Sequence, residues 1–311
     1  MPTTREGTPV HDHVEEWGLW VKREDLSALP PGPAFSKTRG VYPHIKARPE
    51  QVIGVLDTYH SQAGHAVAHA CAELGRHCIN FYPEYKHEPG YRAPQERAKA
   101  LGAELVGLPA GRSSVLYHQA RRGLEELAAG LSTSAYLMPN ALKLPETVTE
   151  TAHEVWRTGE LWGTLDPLGG EPAPILLPAS SATIAAGVIL GVLQYEGRYN
   201  ICENTRRRKF LIHMGYERSQ EQILQYVLGK LTPEAICEGG AGLEDGYLFE
   251  VVDRIELINE FYGYKDKSRG IKAGLPIPSW PCNPYYDLKA FHWWLEVGRA
   301  RYGRALLWNV G

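Results

Sequence analysis

Four separated stretches carry residue types whose spacing could do chemistry. "VKREDLSALPPGPAFSKTRG" (21–40) sets Lys37 in a short polar loop after a proline-rich turn, between Ser36 and Thr38-Arg39-Gly40. A lysine so placed is by default an ordinary solvated side chain, and the rest of the chain has to supply another reason for it. "TYHSQAGHAVAHACAELG" (58–75) and "LLPASSATIAAG" (176–187) each hand a strand to a helix through a small polar turn. In the second of these, Ser180, Ser181 and Thr183 put hydroxyls beside the N–H groups of a helix start. That arrangement suits an anion and equally suits a plain helix cap. It lacks the glycines and the lysine of a nucleoside-triphosphate loop. "NPYYDLKAF" (283–291) places Tyr286 and Asp287 at the head of a helical pattern, where an aspartate is also a common cap.

Two other features are weaker. His65 and His69 stand four apart on one helix face, a spacing that can bind zinc; no third ligand accompanies them, so no metal is expected. "NTRRRKF" (204–210) is a basic run that could touch phosphates through Arg206, Arg207, Arg208 and Lys209, or be a solvated loop face.

The elements that must position these residues alternate. "QVIGVLDTY", "HCINFYP", "ELVGLP", "AYLMPN" and "APILLPA" read as strands. Between and after them lie helical patterns, among them "QAGHAVAHACAELG" closing on Gly75, "SSVLYHQARRGLEELAAG" and "TIAAGVILGVLQYE". This spacing predicts an α/β fold with parallel sheets flanked by helices. "TLDPLGGEPAP" (164–174) reads as a crossing between lobes, and the Pro/Gly-rich 263–285 as a functional loop. At 311 residues the chain has room for one large domain or two ordinary ones. A net charge of −3 gives no global attraction to nucleic acid or membrane. Five scattered cysteines form no CxxC pair, and the apolar stretch 182–193 is too short to span a bilayer. With no apolar signal-like N-terminus, these features favour a soluble cytoplasmic protein without membrane contact.

Taken together the stretches resemble the fold-type II pyridoxal-phosphate enzymes, the tryptophan-synthase-β-like family. The nearest likeness is to 1-aminocyclopropane-1-carboxylate deaminase and D-cysteine desulfhydrase. "KRED" (22–25) and the loop at Lys37 match that family's strand and Schiff-base lysine. His60-Ser61-Gln62 matches its Gln-Ser-Asn turn, 178–184 its glycine-rich phosphate loop, and 283–289 the deaminase's Asp-Pro-x-Tyr-Glu-Gly-Lys. The resemblance implies a two-lobed α/β enzyme, with 1–50 and 166–311 forming a large cofactor-binding domain and 51–165 a smaller inserted one. It implies pyridoxal 5′-phosphate as cofactor, bound through Lys37, Gln62, Ser180, Ser181, Ala182, Thr183 and Asp287, and a homodimer. Lys37, Tyr286 and Ser61 are the implied catalytic residues, and Asp287 the carboxylate at the cofactor's ring nitrogen. There are departures: Gln62 replaces an asparagine, and Ser180, Ala182 and Thr183 stand where glycines are usual. Substrate identity therefore does not carry over.

Three readings follow. The leading one is a lyase or deaminase acting at Cα of a small amino-acid-like substrate through a quinonoid carbanion. The second keeps the cofactor but moves the substrate, for example a decarboxylase of an amino-acid adduct on a nucleic-acid base, as in hypermodified DNA. The third is a binding protein that keeps the fold and has lost the chemistry; retention of Lys37 and Asp287 speaks against it. If Lys37 carries the cofactor, borohydride should fix a pyridoxyl group on its peptide, and Lys37→Ala should abolish the label. A label on another lysine would contradict the assignment.

Overall fold

The structure, a computed structural model, describes residues 7–27, 36–58, 61–85, 90, 92–109, 111–158, 172–198, 208–237 and 247–310. The chain divides into two compact units, 1–27 with 148–311, and 28–147. Among the described residues, no helix is long and apolar enough to cross a membrane.

The first unit is built on a six-stranded sheet in the order β1-β2-β10-β7-β8-β9. Its strands are β1 (Val10–His13), β2 (Leu19–Lys22), β7 (Ile175–Ala179), β8 (Phe210–Met214), β9 (Ile255–Asn259) and β10 (Ala305–Trp308). β1 lies antiparallel to β2, and the other pairings are parallel. "ILLPA" and "FLIHM" are apolar without alternation because both faces of the sheet are covered. Ile175, Leu177, Phe210 and Ile212 enter one core, while Leu176, Leu211 and Leu307 enter the other.

The second unit carries the all-parallel sheet β5-β4-β3-β6, made of β3 (Val52–Leu56), β4 (His77–Glu84), β5 (Glu104–Pro109) and β6 (Ala135–Leu137). Its longer helices are α1 (Lys37–Lys46), α2 (Ala63–Leu74), α3 (Ala93–Ala100) and α4 (Ser113–Gly130). α2 stops where Gly75 adopts φ +65°, the left-handed cap anticipated from its sequence. α5 (Pro145–Thr158) contains the boundary between the units, and α6 (Thr183–Arg198), α7 (Gln220–Leu228) and α8 (Asp287–Trp293) belong to the first.

The expected domain boundaries at 50/51 and 165/166 are displaced. Val41 and Ile45 of α1 pack into one core with Ile53, Val55, Ala66 and Val67, so the stretch from 28 belongs with the smaller sheet. Val148, Ala152 and Val155 of α5 pack with Ile175, Val188 and Ile189, which assigns most of α5 to the first unit. Much of the crossing expected at 164–174 lies outside the described residues. Of "KRED", only Lys22 is in a strand; Glu24–Leu26 form one 3₁₀ turn. The helical pattern expected after Asp287 is α8, which widens into a π turn over Trp294–Gly298.

Candidate active site

In the second unit, Lys37 is the first residue of α1. It is half-buried, yet enclosed enough that burial pulls its amine below the usual lysine range, with the charge of Asp57 acting in the opposite direction. The hydroxyl of the preceding Ser36 is buried and has no hydrogen-bond partner. Asp57 follows β3 and prolongs its pairing, donating its N–H to the Phe81 carbonyl (2.7 Å). The side chain is fully buried. Its Oδ1 accepts from the Thr58 N–H (2.9 Å) and its Oδ2 from the Gln95 carboxamide (2.7 Å). Burial pushes the Asp57 carboxyl up to about 6, and hydrogen bonds from Gln95, the Thr58 N–H, the Asn80 side chain and the Gly64 N–H hold it from going higher. The space is tight: a Cβ on Gly64 would meet Asn80 Nδ2 at 2.2 Å and Asp57 Oδ2 at 2.7 Å, so glycine is required.

Ser61 accepts from the Ala63 N–H (3.0 Å), fastening the start of α2. Gln62 is the N-cap residue and makes no capping bond with its side chain. His60 lies outside the described residues. His69 Nε2 lies 3.7 Å from Glu73 Oε1, one turn on along the helix.

In the first unit, β7 runs through Ser180–Ala182 into α6. Ala182 holds φ +62°, a left-handed conformation that costs a Cβ-bearing residue about 1–2 kcal/mol. Three contacts impose it. Arg218 donates to the Ser180 carbonyl, the Ser181 and Thr183 hydroxyls bond each other at 3.1 Å, and Thr183 bonds the Tyr226 hydroxyl at 3.0 Å. Tyr286 is buried, which drives its phenol pKa far above the ordinary range, and the Ser180 side chain is its hydrogen-bond partner. Thus Tyr286 and the 180–183 turn, far apart in sequence, meet in this unit. Gly215 permits this approach, since a Cβ there would lie 2.5 Å from Tyr286 Cδ1.

Asp287 opens α8, but it is not the N-cap, which is Tyr286. The carboxylate is fully buried and its Oδ1 accepts from the Val310 N–H (2.8 Å), so the "NVG" end of the chain fastens it. Asn309 beside it donates to the Pro281 carbonyl (2.8 Å). Lys289, also buried, donates to the Gly215 carbonyl and stands 4.3 Å over the Tyr262 ring; burial brings its amine down to about 8.

The basic run does not survive as a unit. Arg208 is buried and gives its guanidinium to the Ala173 carbonyl, so its expected contact with a nucleic acid is corrected to an internal one. Lys209 is exposed, and Arg206 and Arg207 lie outside the described residues. Sequence reasoning missed Asp57, Gln95, Arg218 and Lys289. A charged residue directly after the buried strand "VIGVL" was the available signal for Asp57.

These groups fit pyridoxal phosphate. The second unit offers an amine made nucleophilic by burial, next to an unpartnered hydroxyl. The first offers a hydroxyl-rich turn at the head of a long helix for a phosphate, and a buried carboxylate for a cationic ring.

The fold and these groups define a cofactor enzyme of the α/β class. The chain belongs to the pyridoxal-phosphate dependent enzyme family, whose model matches residues 3–204. It is 42% identical over 299 residues, covering 94% of each chain, to the glycyl-dTMP PLP-dependent decarboxylase of Pseudomonas phage M6. Among solved structures it resembles an ACC deaminase homologue (TM-score 0.71, 17% identity, 98% of this chain and 89% of that one). It also resembles an L-serine ammonia-lyase from Rhizomucor miehei (TM-score 0.60, 14% identity, 98% and 93%). The likeness to these two extends to the fold.

If Ala182 is strained, Ala182→Gly should release about 1–2 kcal/mol, less the ~0.4–1 kcal/mol by which glycine loosens the unfolded chain. Urea unfolding should therefore show stability unchanged or raised by up to ~1.6 kcal/mol. A clear loss of stability would contradict the strain.

Proposed function

We propose that this protein is a pyridoxal-phosphate-dependent decarboxylase acting on an amino acid carried by a pyrimidine nucleotide. The observation that carries the reading is the 42% identity, across nearly the whole of both chains, to the phage M6 glycyl-dTMP decarboxylase. The deaminase and ammonia-lyase likenesses support the scaffold only. Any substrate for such chemistry needs a primary amine and a free carboxylate on one carbon.

When bound, the cofactor supplies an electron sink for the pair left at that carbon. The chain's own residues do the rest. Lys37 would hold the cofactor covalently and, once the substrate's amine takes its place there, its freed Nζ would carry a proton. Loss of the carboxylate breaks its C–C bond, carbon dioxide leaves, and the electron pair stays behind. Lys37 Nζ returns a proton to that carbon, which balances the reaction. Ser180, Ser181, Thr183 and the Ala182 backbone bind the phosphate, and Gln62 adds a contact to the cofactor. Asp287 holds a proton on the ring nitrogen, because opposite charges in a buried site favour both ionised forms. Tyr286 stays protonated, since burial raises its phenol, and so acts as donor and orienter rather than base. Ser61 contacts the substrate carboxylate; an oxygen that accepts from Ala63 still carries an O–H to donate.

Incubation with an amino-acid adduct of a thymidine nucleotide should release carbon dioxide in equal amount to the amine product, with no ammonia. Asp287→Asn should keep the cofactor but lower kcat by at least ~100-fold, about 2.7 kcal/mol, with KM nearly unchanged. Ammonia without carbon dioxide would return the protein to the deaminase reading. Full turnover by Asp287→Asn would remove Asp287 from the ring nitrogen.

A further inference from the structure

The stretch that follows β9 supplies none of the groups assigned above, yet it is firmly built. Residues 261–269 close on themselves. Arg269 Nη2 donates to the Phe261 carbonyl (3.4 Å), the Arg269 N–H donates to the Tyr262 hydroxyl (3.2 Å), and the guanidinium lies 4.5 Å over the Tyr262 ring. Within the loop Asp266 Oδ2 accepts from the Gly263 N–H (2.7 Å). The Glu217 N–H donates to the Tyr262 carbonyl (2.7 Å), and the Ser268 N–H to the Pro284 carbonyl (2.9 Å). A short loop whose ends meet keeps its side chains close together, and such loops are frequently functional.

What this loop turns to solvent is aromatic and cationic. Phe261 is 66% exposed, and its φ of +56° is one that a bulky residue rarely adopts. Such strain persists only where the surroundings impose it, and the Phe261 N–H is held by Asn259 Oδ1 (2.9 Å) while its carbonyl is held by Arg269. Tyr264 is exposed as well, its ring edge-on to Tyr216 at 5.0 Å. Lys265, Lys267, Arg269 and Lys272 are all exposed, against the one carboxylate of Asp266, in a chain whose net charge is −3. Lys267 and Lys272 have no ion-pair partner among the described residues. Rings for bases and cations for phosphates are the two features that hold a single nucleic-acid strand. A second copy of this chain fits less well, because a two-fold contact would set the same cations against one another.

The loop also abuts the candidate site of its own unit. Tyr264 packs on Tyr216, Arg218 lies 5.7 Å over the Tyr216 ring, and Arg218 holds the Ser180 carbonyl of the hydroxyl turn. Ser268 bonds Pro284, two residues before Tyr286.

We propose that the 261–272 loop docks single-stranded DNA, with a base stacked on Phe261 and phosphates on Lys267 and Lys272. The proposal rests on the nucleotide-adduct reading for its substrate and names the polymer as the form in which that substrate arrives.

The test is fluorescence anisotropy of the holoenzyme with a labelled single-stranded thymidine oligonucleotide, and with a duplex of the same length, across a salt series. The parent should bind the single strand more tightly, and the affinity should fall as salt rises. Lys267→Gln/Lys272→Gln should flatten the log–log salt slope by about 1.4, ~0.7 for each phosphate contact on a single strand. Phe261→Gly, which suits the left-handed φ, removes a stacked base and no charge. It should weaken binding about fivefold or more at every salt concentration and leave the slope unchanged. Both variants should melt no lower than the parent and decarboxylate a free nucleotide adduct at the parent's kcat/KM, but show a raised KM for an adduct within an oligonucleotide. A parent that binds neither DNA, a duplex bound as tightly as the single strand, or single-strand affinity unmoved in both variants overturns the proposal. So does a parent that sediments as a dimer, binds no DNA and falls to a monomer in the variants, which makes this face a contact between copies. Adduct decarboxylation by a parent that binds no DNA overturns the docking loop and leaves the decarboxylase reading intact. Loop-dependent DNA binding by a protein that decarboxylates no adduct upholds the loop and removes that reading instead.

Discussion

Burial takes water away from the Lys37 ammonium and the Asp57 carboxylate alike, and each answers by moving toward neutrality, the lysine downward and the aspartate up to about 6. The Asp57 charge holds the lysine from falling further, and hydrogen bonds to the carboxylate hold the aspartate from rising further. Unpaired, either ion would be costly in such a place. The surroundings follow from that constraint. Gln95 and the Thr58 N–H must donate to the carboxylate, and Gly64 must lack a side chain to leave room for it. α3 must begin where Gln95 can reach. The parallel pairing of β3 with β4 makes this possible, because it brings both strand ends, and the turns that follow them, to one edge of the sheet.

The first unit solves a similar problem with Asp287. This carboxylate is fully buried at the head of α8, and its Oδ1 accepts from the Val310 N–H at the far end of the chain. The Val310 bond fastens Asp287 from outside its own helix. The turn at Ser180–Thr183 is similarly held by others. Arg218 grips the Ser180 carbonyl and Tyr226 the Thr183 hydroxyl, which keeps Ala182 in a backbone shape that glycine would adopt freely. External contacts thus replace the conformational freedom that a glycine-rich loop supplies through its composition.

Much of this was legible in the sequence, and the remainder was not for definite reasons. Strands such as "ELVGLP" and helices such as "SSVLYHQARRGLEELAAG" coincide with β5 and α4, since local pattern and local structure agree there. The lysine, the hydroxyl turn and the Tyr-Asp pair could be picked out by type and order. β8 and β9 were not assigned, because five-residue apolar runs do not distinguish a buried strand from a piece of buried helix. The Asp57–Gln95 bond spans 38 positions and the Asp287–Val310 bond 23, distances over which no periodicity speaks. The placement of 28–50 with the smaller sheet depends on where Val41 and Ile45 find a core, which only packing decides.

Lys37 is a half-buried lysine whose basicity is lowered by the enclosure of its amine and raised by the charge of Asp57. Reductive methylation with ¹³C-formaldehyde, followed by NMR titration of cofactor-free protein, reads that amine directly. Lys37 should titrate below the ordinary lysine value near ~10.4, and lower still in Asp57→Asn, because the carboxylate's charge is what raises it. A Lys37 that titrates like a surface lysine, or one that does not respond to Asp57→Asn, would contradict the account.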